Sequence, residues 1–221
     1  MIDGRKVIQK IVVHPFRLKY RASGQVFQPD RPSTIFGIIM SQYKYKSSIK
    51  YIDELKFDHI ETYSFQRGTS YEDSLKKDRS EYEKLRVRKE KRNNLLPEEE
   101  ARFAGLDSLR QFRNLINEAG QFHPTSEKTH TFNADDEVVT RLREILHTDI
   151  NNVPAWMCAP LYRDAIVFRD KTGRIVSCLN VCLDCEYMET KMYHHINGDA
   201  KTYLLLREFF IYLGHKVEPK Y

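Results

Sequence analysis

The sequence predicts an α+β protein: an antiparallel sheet joined to a C-terminal helix-hairpin-helix unit and a charged helical arm. Three observations carry this. Short β-branched and alternating runs sit at both ends of the chain, a long stretch without Gly or Pro and a second helical pattern lie between them, and a strongly apolar helical pattern closes the sequence. At 221 residues the chain can bury a core without staples, and 41% hydrophobic with 30% charged residues is an ordinary globular balance. The longest apolar runs fall well short of the ~20 residues that span a bilayer. No secretory signal pattern opens the chain, so a cytoplasmic protein is expected.

Residues 1–67 read as a β-rich part. "VIQKIVV" (7–13) is β-branched, Pro15, Pro29 and Pro32 punctuate the chain after it, "TIFGIIM" (34–40) is a short buried run, and "FDHIETYSF" (57–65) alternates as a strand does. Residues 68–120 form the expected arm. Its first helix carries Tyr71, Leu75, Tyr82 and Leu85 as a thin apolar stripe. Its second starts at Pro97, with Glu98, Glu99 and Glu100 suiting the positive helix end, and runs through Leu109, Phe112, Leu115, Ile116 and Ala119 to Gly120. Residues 120–133 read as a loop. The C-terminal unit, 134–221, begins with a helix capped by Asn133 and bearing Val138, Leu142, Ile145 and Leu146. A hairpin comes next, turning at "RDKTGR" between "RDAIVF" and "IVSCLNVCL"; "EYMETKMYHH" reads as a helical tail, and a last helix runs from Asp199 to Gly214.

Charge is concentrated. From Lys76 to Arg92 there are nine basic and four acidic residues, which matches the net charge of +5 for the whole chain. Lys84, Arg86, Arg88, Lys89, Lys91 and Arg92 could track a phosphate backbone; the plainer reading is a solvated helix face held by ion pairs along the helix.

Three of the four cysteines fall within "CLNVCLDC" (178–185). A hairpin turning over residues 170–173 sets Cys185 opposite Cys158 and Cys182 opposite Leu161, so Cys158, Cys182 and Cys185 converge at the open end of the ribbon. Cys178 lies further along the strand and is read as packing. Three chemistries suit such a cluster: buried packing, thiol exchange, or zinc. A zinc site needs a fourth ligand, for which His194 and His195 are nearest in sequence and His123 and His215 more distant. Cys185 lacks a following Gly, which argues against a tight metal-binding turn. "YHHINGD" (193–199) offers His194, His195 and Asp199 as an acid and base, although such a string is more often a polar loop, and no catalytic residue is assigned.

The order Cys158-x-Pro160, strand pair, "VCLDC" and "LLREFFIYLG" resembles a group of uncharacterised bacterial proteins in which a Cys-x-Pro, a hairpin, an Ile/Val-Cys-x-x-Cys and a terminal helix recur. It covers about residues 138–217. The resemblance implies that the cysteines act as a unit and supplies no activity. The expected function is therefore a non-enzymatic bacterial binding protein with a protein partner and a Cys-rich, candidate zinc site; nucleic-acid binding through the basic helix and thiol redox chemistry are the alternatives.

Overall fold

The structure is a computed structural model that describes residues 43–92, 95–111, 113–155 and 158–217. The strand readings at 7–13 and 34–40, and the Phe112 position, lie outside the described residues.

Among the described residues, seven strands form one mixed sheet: β1 (Lys44–Ser47), β2 (His59–Phe65), β3 (Ser126–Asn133), β4 (Asp164–Arg169), β5 (Ile175–Cys182), β6 (Tyr187–Lys191) and β7 (His194–Asn197). Their order is β1-β7-β6-β5-β4-β2-β3, antiparallel except for the parallel β1–β7 pair. Five helices among the described residues accompany them: α1 (Ser48–Glu54), α2 (Thr69–Arg92), α3 (Pro97–Gln111), α4 (Glu137–Leu146) and α5 (Ala200–Tyr212). The sheet unites distant parts of the chain, because β2 lies between β3 and β4.

The expected hairpin is β4–β5, pairing Asp164 with Val181 and Val167 with Cys178. Its turn is tied by Asp170, whose Oδ1 accepts from the Thr172 and Arg174 amides at 2.9 and 3.0 Å, while Gly173 takes the left-handed φ of +80°. Alternation then sorts the core. Ile166, Phe168, Leu179, Val181, Met188 and Ile196 face one side, where α1, α4 and α5 cover them with Ile52, Leu142, Leu146, Leu206, Phe209 and Phe210. Ala165, Val167 and Cys178 face the other, under Tyr63, Phe65 and Leu115.

Four expectations are corrected. Residues 126–133 are the edge strand β3 rather than loop, since the Ser126–Asn133 backbone finds partners on β2. Residues 187–197 are β6 and β7 rather than a helical tail, so two strands separate the hairpin from α5. The open edge of β5 supplies ladder partners that a helix could not use, and Tyr193, at φ 67°, closes the tight turn between the new strands. Helix α3 stops at Gln111; Leu115 and Ile116 instead cover the sheet, where Ile116 bridges Phe122. Helix α4 starts at Glu137 behind Asp136, not at Asn133, whose amide donates to the Asp136 carboxylate at 2.6 Å.

The α2–α3 contact is small, with Tyr82, Leu85 and Leu106 buried and Phe103 stacked on Tyr82 at 5.0 Å. Leu75 stays exposed.

Phe168 is fully buried, with the rings of Phe57 and Tyr51 edge-on at 4.9 and 6.0 Å. Phe168→Ala should therefore lower unfolding free energy by about 3–5 kcal/mol, read as a shift of the urea midpoint.

Candidate functional site: the cysteine cluster

Strand β5 ends at Cys182, and residues 183–186 turn tightly into β6. The turn closes because Glu186 adopts φ 50°, the left-handed conformation usually left to Gly. The missing Gly after Cys185 therefore does not prevent the turn; Glu accepts a conformation that costs a non-Gly residue about 1–2 kcal/mol. Arg207 of α5 braces it from behind, donating to the Leu183 carbonyl at 3.1 Å and the Asp184 carboxylate at 3.2 Å.

Cys158 meets this turn from the loop before β4. Its sulfur is joined to that of Cys185 as a disulfide across 27 residues, with the Cα atoms 6.2 Å apart, a span that suits such a bond. Cys182 lies in the same buried cluster with Cys185 and Tyr162. Burial pushes its thiol pKa up, and the neighbouring backbone of Cys185, Leu161 and Asp184 pulls it partly back. Three sulfurs thus gather at one surface edge, with the disulfide outermost: Cys158 is exposed and Cys182 is nearly covered. Cys178 lies elsewhere, in the core beneath Val167, and burial lifts its pKa to about 12. It is a packing residue.

The candidate histidine ligands take other positions. His194 and His195 sit on β7, beyond β6 from the cysteine strand. The His195 ring is buried among aromatics, stacked on Tyr43 at 5.3 Å and Tyr45 at 5.2 Å, with Tyr187 edge-on at 4.8 Å. Burial, then the Arg113 charge, lowers its pKa. His123 and His215 line a separate cavity. Among the described residues, no group of three or more His, Cys, Asp or Glu is arranged to hold a metal ion.

Sequence reasoning missed a polar group beside the sulfurs. Glu189, 1% exposed, lies on β6 with Asn180 as its β5 partner and His195 as its β7 partner. Asn180 is fully used, its Oδ1 accepting from the Leu115 amide at 2.7 Å and its Nδ2 donating to the Glu189 carbonyl at 3.1 Å. In contrast, Glu189 Oε1, the Tyr162 hydroxyl, Asn114 Oδ1 and both His195 ring nitrogens are buried without completed hydrogen bonds among the described residues. Such groups call for ordered water or a bound polar molecule. Burial raises the Glu189 pKa; Arg113, Tyr162 and Asn114 draw it partly back. The available signal was the alternation of Tyr187, Glu189 and Lys191, which is strand-like once the segment is not read as helix.

The basic helix face is largely paired. Arg86 bonds Glu83 and Glu90 at 2.9 and 2.7 Å, Arg88 bonds Glu99, and Lys89 bonds Glu100 at 2.8 Å. Lys84 and Lys91 are exposed without an ion pair among the described residues, and the Arg92 side chain lies outside them.

No helix among the described residues is long and apolar enough to cross a membrane. Comparison with known proteins returns no match: no protein family, no curated protein and no solved structure is similar to the chain.

Because folding raises the Glu189 pKa, the associated stability is complete below the ordinary Glu range, about pH 4, and is lost as pH rises through the folded value. Glu189→Gln should melt about 2–4 °C higher than the parent at neutral pH, with the gap closing near pH 4, as followed by thermal denaturation.

Proposed function

We propose that the protein is a binding protein, with another protein as its partner, whose C-terminal unit is pinned by Cys158, Cys182 and Cys185 while the helices over 69–111 act as a charged arm. One observation carries this reading: the Cys158 sulfur is bonded to Cys185 with Cys182 in the same cluster. The bond ties the loop before β4 to the β5–β6 turn, and closing a loop of 27 residues is worth roughly 3–4 kcal/mol in the chain-entropy account. In a reducing compartment the pair rests as thiols, and exchange with a small-molecule disulfide, which takes up the two electrons and two protons and leaves as two thiols, closes it, so the pin responds to redox state.

Zinc is the second reading. The nearness of Cys182 to Cys185 at the tight turn that the left-handed Glu186 closes is what favours it. Three cysteines leave a structural zinc site one ligand short; His195 stands among tyrosines instead, and His194 pairs with Lys44 and Lys191 on the neighbouring strands.

Intact mass and peptide mapping of protein prepared without reductant should find a Cys158–Cys185 cross-link. Cys185→Ser should then destabilise the oxidised protein by roughly 3 kcal/mol and leave the reduced protein far less affected. Stoichiometric zinc with all thiols free would favour the second reading. Free thiols, no metal and no stability change in Cys185→Ser would overturn both.

A further inference from the structure

The three clustered sulfurs stand in unequal positions. Cys185 is bonded to Cys158 and also packs with Cys182, so it is the sulfur that both neighbours share. Cys158 is exposed, whereas Cys185 and Cys182 are 9% and 3% exposed. Exposure thus falls in the order Cys158, Cys185, Cys182. The innermost of the three, Cys182, is a free thiol.

The turn sets Cys182 within reach of its neighbour. Cys182 pairs with Tyr187 at the last rung of β5–β6, and residues 183–186 close the chain between them. In a turn this tight, Cα atoms three positions apart lie within about 7 Å, which overlaps the span of a disulfide. Cys185 is therefore placed to bond on either side, across the loop to Cys158 or within the turn to Cys182. The two bonds exclude each other, because both use the same sulfur.

Passage from one bond to the other needs no oxidant. The Cys182 thiolate attacks Cys185 Sγ, the Cys182–Cys185 bond forms as the Cys158–Cys185 bond breaks, and Cys158 leaves as a thiolate. The proton given up by Cys182 is returned through solvent to Cys158. Burial pushes the Cys182 thiol up and keeps its thiolate scarce; adjacency offsets this, since an attack within one molecule has a high effective concentration. Solvation sets the direction, for the charge starts on a covered sulfur and ends on an exposed one, where water stabilises it. The exchange also releases a loop whose ends stay fixed. On one side the Asn151 and Asn152 amides donate to Asp199 at 2.9 and 2.8 Å; on the other the Arg163 carbonyl accepts from the Phe65 amide at 2.9 Å and from Arg67 at 2.7 Å.

We propose that the three cysteines form a thiol–disulfide relay in which exposed Cys158 reacts with a small-molecule disulfide, Cys185 draws the bond inward, and Cys182 resolves it, restoring Cys158 as a free thiol. The Cys158 thiolate first forms a mixed disulfide and expels one small thiol. Cys185 then attacks Cys158 Sγ, expels the second, and closes the pin that Cys182 later opens. In sum, two protein thiols and one small disulfide become one protein disulfide and two small thiols. The relay rests on the Cys158–Cys185 pin of the binding-protein reading and adds Cys182 as the resolving thiol.

The full chain, oxidised with glutathione disulfide and freed of it, is treated in the native state with N-ethylmaleimide, quenched in acid and mapped by mass spectrometry. The parent should accumulate label on Cys158 together with a Cys182–Cys185 bond. Cys182→Ala and Cys182→Ser should keep the Cys158–Cys185 bond and label Cys158 at least about tenfold more slowly, in variants whose circular dichroism matches the parent. Cys158→Ser should oxidise its buried pair at least about tenfold more slowly than the parent. The relay is overturned by a parent that stays unlabelled at Cys158, by label on Cys182 beside an intact Cys158–Cys185 bond, by equal labelling of Cys158 in Cys182→Ala, or by a Cys158→Ser chain that oxidises at the parent's rate. Cys182→Ala judges the pin separately. Loss of the Cys158–Cys185 bond in that variant removes the pin and the relay together, whereas its presence there beside an unlabelled parent removes the relay alone.

Discussion

Strand β4 has no free side. It is hydrogen-bonded to β2 on one edge and β5 on the other, and Ala165, Ile166, Val167 and Phe168 are all fully buried between the two layers. A strand so enclosed cannot slip its register, because a shift of one residue would turn Phe168 away from the helices and into a space filled by Tyr63 and Leu115. Its entry point is consequently held in place, and both the cysteine cluster and the polar wall of the cavity are built there. Tyr162 touches Cys182 and Cys185 on one side, and two residues later Asp164 grips His215 and Arg67 on the other.

The cysteine turn depends on that anchor and on α5. A four-residue turn with a left-handed Glu is not favourable by itself. Arg207 holds its carbonyl and carboxylate from the helix, and the Cys158 loop closes over it from β4. The three sulfurs therefore meet because three separate elements are rigidly placed, and local preference contributes little. The adjoining group of Glu189, Tyr162, His195 and Asn114 shows the opposite balance, with polar atoms enclosed by the fold and left incompletely satisfied. Folded proteins tolerate few such atoms, since each costs about 1–3 kcal/mol.

The charged helices illustrate how ion pairing mutes a charge run. Nine basic residues in the Lys76–Arg92 stretch suggest a strong positive field, yet α3 brings Glu99, Glu100 and Arg102 against α2, and Arg102 itself bonds Glu81 and Asp78. Among the described side chains of this stretch, what remains unpaired is scattered along the helix: Lys77, Arg79, Lys84 and Lys91.

Local patterning alone determined the strand at 59–65, the hairpin with its Asp-Lys-Thr-Gly turn, the two middle helices and the terminal helix capped by Asp199, because each is set by side-chain period and by residues acting on their own backbone. The hairpin turn pointed to the nearness of Cys158 and Cys185, but its ladder stops at Asp164–Val181, so the loop before β4 and the β5–β6 turn, both placed by the fold, bring the two sulfurs together. Tertiary structure decided what local period leaves open. "EYMETKMYHH" has helical propensity but became two strands because the edge of β5 needed partners, and "SEKTHTFN" became a strand on β2 for the same cause. The Glu189 group and the Asp164–His215 pair join residues far apart in sequence through the order of strands in the sheet, and no spacing along the chain encodes that order.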